Sequence, residues 1–144
     1  MFETVVIATD GSESTKRGIR TALDVASRFD ATVHAVYVID ENEIAASPEE
    51  VRDQLHDAIE STGEDALATV RDEAAQQGDM EVVTAVREGS PASELIEYGE
   101  AVGADVIAMG TRGRHGEHAY LLGSVAEAVV RRSPIPVLTV RQLE

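Results

Sequence analysis

Five short apolar, β-branched runs punctuate the chain: Thr4 to Ala8, Val33 to Ile39, Val82 to Val86, Asp105 to Met109 and Pro136 to Val140. Nearly continuous apolar stretches, without strict alternation, are expected of strands in a parallel sheet covered on both faces. Between them the period becomes helical. A first helix is expected from about Glu13 to Phe29, with Ile19, Leu23, Val25 and Ala26 in its buried stripe. Asp10-Gly11 turns into it, and Ser12 or Ser14 can cap its start. A second helical region from about Pro48 to Gln77 places Val51, Leu55, Ala58, Ile59, Thr62, Ala66, Val70 and Ala74 on one face. Gly63 interrupts it at a cost of about 1 kcal/mol against alanine, which predicts a bend or local fraying there.

Asp40 to Ser47 reads as a surface loop. Ser90-Pro91 opens a third helix with a cap residue and a proline at the first position; Leu95, Ile96, Tyr98 and Val102 can face the sheet, and Gly103 ends it. The last helix spans about Ser124 to Arg132, and Ser133-Pro134 and Pro136 stop it. The resulting order βαβαβαβαβ predicts an α/β fold, a three-layer α/β/α sandwich with right-handed crossovers. No repeat, linker or low-complexity segment is visible, so residues 1–144 are expected to form one domain.

Composition narrows the function classes. Zero cysteines exclude disulfides, thiol catalysis, iron–sulfur clusters and cysteine zinc sites. The start Met1-Phe2-Glu3-Thr4 lacks the basic opening of a signal peptide and precedes no membrane-length apolar run, which predicts a cytoplasmic protein. With 27 acidic against 12 basic residues the formal charge is −15, a surface that repels nucleic acid and anionic lipid. Neither is an expected partner. Lys16 is the only lysine, and acid excess with lysine depletion suggests a high-salt cytoplasm, an ordinary acidic mesophile protein being the alternative.

The chemistry gathers after the fourth strand, where Gly110, Gly113, Gly123 and Ser124 precede a helix. Glycine-rich backbone can turn its N–H groups toward an anion, and a helix N-terminus adds unpaired amides and the positive end of its dipole. The alternative is a plain strand-to-helix connection. Ligands of such folds sit at the carboxyl ends of the strands where strand order reverses. Three ends are candidates: Ala8-Thr9-Asp10, Val38-Ile39-Asp40 and Met109-Gly110. Asp10 can accept from ribose hydroxyls or cap the turn at Gly11-Ser12; Val38 can press an adenine or fill the core. GxGxxG does not follow the first strand and GxxxxGK[ST] is absent, so dinucleotide and P-loop readings lose support.

What the chain does contain is GxxG, nine residues, then Gly-Ser. With Val5-Val6-Ile7-Ala8-Thr9-Asp10-Gly11-Ser12, Gly89-Ser90-Pro91-Ala92, Leu122-Gly123-Ser124-Val125-Ala126-Glu127 and Pro134-Ile135-Pro136-Val137-Leu138-Thr139-Val140, this resembles the universal stress protein family, in its ATP-binding branch, over nearly the whole chain. The resemblance implies an adenine-nucleotide-binding domain with a five-stranded parallel sheet of order 3-2-1-4-5. It also implies a homodimer paired through the last strand, Pro136 to Val140. Carried over, Thr9 and Asp10, at the end of the run through Ala8, would hold ribose and base, and Val38 the adenine. Met109 and Gly110 would line the α-phosphate side, and Gly113, Gly123 and Ser124 the β- and γ-phosphates. Val125 would give a backbone donor, and Mg or Mn would ride on the phosphates of ATP.

Positions 117–120 read Glu-His-Ala-Tyr where relatives commonly carry an apolar and a basic residue. Arg112 and Arg114 can supply the missing cation, or be solvated loop arginines. His115 and His118 without a third nearby ligand make a poor zinc site, and no metal site on the protein is expected. Three functions compete: a stress-response regulator or sensor that binds ATP, a slow ATPase or nucleotidyl-transfer enzyme, and a dimeric interaction module with an empty pocket. The first leads, because no general base stands out for phosphoryl chemistry.

Overall fold

A computed structural model describes residues 2–112 and 123–143. Its strands are β1 (Thr4–Ala8), β2 (Thr32–Asp40), β3 (Val82–Gly89), β4 (Val106–Gly110) and β5 (Val137–Val140). Helices are α1 (Lys16–Phe29), α2 (Glu41–Ala45), α3 (Arg52–Gln77), α4 (Pro91–Val102) and α5 (Ser124–Arg132), with single 3₁₀ turns at Glu13–Thr15 and Glu49–Val51. All pairings are parallel and the order is β3-β2-β1-β4-β5. β1 therefore lies in the middle, with Val5 between Val33 on one side and Val106 on the other.

The sheet separates two cores. Ile19, Leu23 and Ala26 of α1 and Ile59, Leu67 and Val70 of α3 pack on one face with Val5, Ile7 and Tyr37. Leu95, Ile96 and Tyr98 of α4 and Ala126 and Val129 of α5 pack on the other with Val6, Val36 and Ile107. Val5, Val6, Val33 and Ile107 are fully buried, the burial on both faces that the unbroken apolar runs require. No helix among the described residues is long and apolar enough to cross a membrane.

Several local expectations change. Residues 41–45 form a helical turn where a loop was expected: the Asp40 carboxylate accepts from the Asn42 N–H at 2.9 Å, and Arg52 Nε and Nη2 donate to the Ser47 and Ala45 carbonyls. α3 runs unbroken through Gly63. A Cβ there would lie 2.5 Å from Tyr37 Cδ1, so the glycine makes room for a buried ring and marks no bend. The buried stripe of α3 is Ile59, Gly63, Ala66, Leu67, Val70 and Ala74, whereas Val51, Ala58 and Thr62 are exposed. Neither Ser12 nor Ser14 caps α1; the cap position is Thr15, whose side chain is turned elsewhere. Ser90 likewise precedes Pro91 without a side-chain cap bond. β5 starts at Val137 because Pro136 has no N–H to donate, although its carbonyl accepts from Ile107.

Candidate functional site

At the end of β1 the chain folds into a turn held by its own polar side chains. Thr9 is buried; its N–H donates to the Val36 carbonyl at 3.1 Å and its hydroxyl accepts from the Gly11 N–H at 3.1 Å. Asp10 Oδ1 accepts from both the N–H and the hydroxyl of Ser12, at 2.9 and 2.6 Å. This is an Asx turn, so the capping role weighed for Asp10 is present. Among the described residues no hydrogen bond reaches its second oxygen, Oδ2. Gly11 has φ +80°, a left-handed conformation that a side chain would strain, and its missing Cβ faces Ala66 at 3.3 Å. The Thr15 hydroxyl closes the turn on the Ser12 carbonyl at 2.8 Å.

β4 ends beside this turn. Met109 is buried, and a Cβ on Gly110 would come within 2.9 Å of the Ser14 carbonyl. Gly110 is thus required by the close approach of the β1 turn to β4. Thr111 and Arg112 follow, both half-buried. The Thr111 carbonyl accepts from the Gly123 N–H at 2.6 Å, which ties the start of α5 to the end of β4. That amide is engaged within the protein and so is not a donor for an anion. Gly123 has φ −66°, and its carbonyl takes the Glu127 N–H. The first-turn amides from Ser124 to Ala126 have no carbonyl of their own helix to bond, as at any helix start; Ser124 is exposed and Val125 half-buried. Gly113, Arg114, His115, His118 and the stretch 117–120 lie outside the described residues.

Val38 is half-buried and packs against the core under α4 and α5, the packing role weighed for it. It also stands two residues beyond Val36, the partner of Ala8, and so near the height of Asp10. The sheet therefore brings Ala8, Thr9 and Asp10 next to Met109 and Gly110 where strand order reverses, with Val38 to one side and Gly123 to Val125 joined through Thr111. Ser12 is the partner in the turn weighed for Asp10, signalled by the Asp-Gly-Ser spacing. Thr15, and Ser14 against Gly110, are structural partners that nothing local signals.

Two histidines sit away from these strand ends. His56 Nε2 of α3 lies 2.6 Å from Glu88 Oε1 of β3, and that hydrogen bond raises its pKa above 6.5, helped by Glu60 and Asp57 against some desolvation. A raised folded value adds stability that is fully present below pH 6.5 and is lost as pH rises above 6.5 through the raised folded value. His34 Nδ1 lies 2.8 Å from the Tyr98 hydroxyl, and burial lowers its pKa below 6.5 against the pull of Glu81. Its contribution has the opposite sign: folding weakens as pH falls below 6.5. Among the described residues no group of three His, Cys, Asp or Glu could hold a metal ion.

The sequence model described as the Universal stress protein family matches residues 1–141. The chain belongs to the universal stress protein family. Among its relatives, Universal stress protein MJ0531 of Methanocaldococcus jannaschii is 37% identical over 143 residues, covering 99% of this chain and 84% of that protein. Universal stress protein YxiE of Bacillus subtilis is 28% identical over 149 residues, covering 98% and 100%. The solved structure of hypothetical protein MJ0577, made for a structure-based assignment of biochemical function, superposes with a TM-score of 0.87 at 28% identity over 100% of this chain and 99% of that one. A universal stress protein crystallised in complex with cAMP superposes with a TM-score of 0.72 at 27% identity, covering 99% and 98%. The expected sheet order 3-2-1-4-5 is the order observed in this universal stress protein.

Proposed function

We propose that this universal stress protein binds an adenine nucleotide, ATP first among them, at the carboxyl ends of β1 and β4, and acts as a regulator whose state reports nucleotide occupancy. The observation that carries the reading is the junction of the Asx turn at Asp10 with the end of β4 and, through Thr111, with the opening of α5. The Asx turn fixes the Asp10 carboxylate through Oδ1 and leaves Oδ2 for ribose hydroxyls. Ser124 and Val125 offer amides at the positive end of a helix dipole, equivalent to about half a charge. Backbone donors suit a protein of net charge −15, since they attract phosphate without a basic surface; on this reading Arg112 and Arg114 of the segment after β4 add cations.

Ala8 and Met109 form the floor, Val38 the adenine side, and Gly110, Gly113 and Gly123 the close backbone approach. Mg²⁺ or Mn²⁺ is carried by the phosphates. The universal stress protein crystallised with cAMP favours an adenine nucleotide over other anions as the ligand. Residues 1–144 act as one domain in the cytoplasm, in a high-salt cell, and pair into a homodimer through β5.

The test is a titration with ATP and Mg²⁺ at high salt, with cAMP and inorganic phosphate as comparison ligands, on the wild type, Gly113→Val and Gly123→Val. The wild type is expected to bind ATP above phosphate, and each variant to bind about tenfold more weakly, because a valine side chain would hold the phosphates off the backbone that glycine lets them approach. ATP should remain intact over hours. Equal binding by all three proteins removes the phosphate cradle, and steady ADP formation favours the slow ATPase.

A further inference from the structure

An opening helix needs acceptors for its first N–H groups, and α1 has none in its own cap. The Thr15 hydroxyl, which would normally reach forward to the first turn, instead donates back to the Ser12 carbonyl at 2.8 Å. The acceptor comes from the far end of the sequence. The Arg17 N–H donates to Gln142 Oε1 at 2.9 Å, and Arg17 Nη1 donates to the Arg141 carbonyl at 2.9 Å. Register explains how the two segments meet: Val140 lies opposite Gly110, so the chain leaves β5 beside the end of β4 and arrives at the start of α1.

A continuous path of contacts follows from that meeting. Gln142 holds the first turn of α1; Ser14, just before it, lies against Gly110; Thr15 holds Ser12; and Ser12 holds the Asp10 carboxylate. We infer that Arg141 and Gln142 form a latch that keeps the first turn of α1, and with it the turn from Asp10 to Thr15, in its closed arrangement, Gln142 being a positioning residue for the nucleotide site. The last step rests on the nucleotide reading above; the latch itself does not. Both latch bonds are solvent-exposed, which makes this a place where local opening is cheap compared with global unfolding. Release of the segment after β5 loosens the turn, and Asp10 loses the fixed orientation in which it meets a ribose.

The experiment compares wild type, Gln142→Ala and Gln142→Glu by residue-resolved amide exchange and by ATP–Mg²⁺ titration. Glutamate keeps the acceptor and puts negative charge at a helix N-terminus, where it is favourable. Gln142→Ala should speed exchange of the Arg17 amide and of the amides from Gly11 to Thr15 about fivefold, the population shift that a typical lost cap produces, and weaken ATP binding by a similar factor. Amides of β1 should keep wild-type protection, showing that the fold is intact, and Gln142→Glu should restore both readouts. Unchanged exchange at Arg17 overturns the latch. Faster exchange with unchanged ATP affinity overturns its role at the site. A wild type that binds no ATP refutes the nucleotide reading and the positioning role together, while the exchange difference, which needs no ligand, still decides the latch.

Discussion

Gly63 shows how a single residue can carry opposite meanings in isolation and in the fold. Helix propensity alone favours alanine there by about 1 kcal/mol. The Tyr37 ring lies 2.5 Å from where the new Cβ would stand, and the ring is fully buried, so neither α3 nor β2 can yield without disturbing the core between them. Overpacking of this kind costs about 1–3 kcal/mol. Gly63→Ala should therefore destabilise the protein, by about 1 kcal/mol once the helical gain is subtracted, measured as a lower denaturant midpoint with unchanged slope. A stabilised variant would mean that the ring can swing aside. The same contest between local rule and tertiary contact applies at Gly110, whose glycine answers to the Ser14 carbonyl before it answers to any ligand.

At the scale of elements, β5 is an edge strand, and its register says which amides are spoken for. Ile107 lies opposite Val137 and donates to the Pro136 carbonyl, so in a parallel ladder the Leu138 N–H faces β4 while those of Val137 and Thr139 face outward. If a second copy pairs there, Thr139→Pro should abolish the dimer and leave β4–β5 pairing intact, seen as a halved solution mass with an unchanged far-ultraviolet spectrum. A dimer that survives places the interface elsewhere. Strands and long helices were legible in sequence because β-branched runs end in Asp, Gly or Pro and because α1 and α4 repeat their apolar residues at helical spacing. α2 was not: one turn lies below the length at which propensity acts, and it depends on Asp40, Ile44 and Arg52. The strand ends of the site were likewise readable as polar punctuation. The bonds from Gly123 to Thr111 and from Arg17 to Gln142 were not, because no local pattern encodes a partner so distant along the chain.

For the molecule as a whole, the charge of −15 is a self-repulsion that solvent ions can relieve. The described ion pairs are exposed or partly so, and such pairs contribute little net stability. Raising KCl to about 1 M, where the Debye length falls to about 3 Å, should thus raise Tm by several degrees, the loss of those pairs being the smaller effect. A flat or falling Tm, followed by differential scanning calorimetry, would show that the acidic residues do not oppose folding. The central position of β1 has a further consequence, for the order in which the molecule can be built. Its second edge is covered by β4, and the Asp105 carboxylate that bonds the Glu3 and Thr4 N–H groups lies 102 and 101 residues downstream. A nascent chain therefore emerges from the ribosome with its central strand unable to find one of its two neighbours until most of the sequence has been translated. Co-translational chaperones, which shield such unpaired edges, should meet this chain at β1.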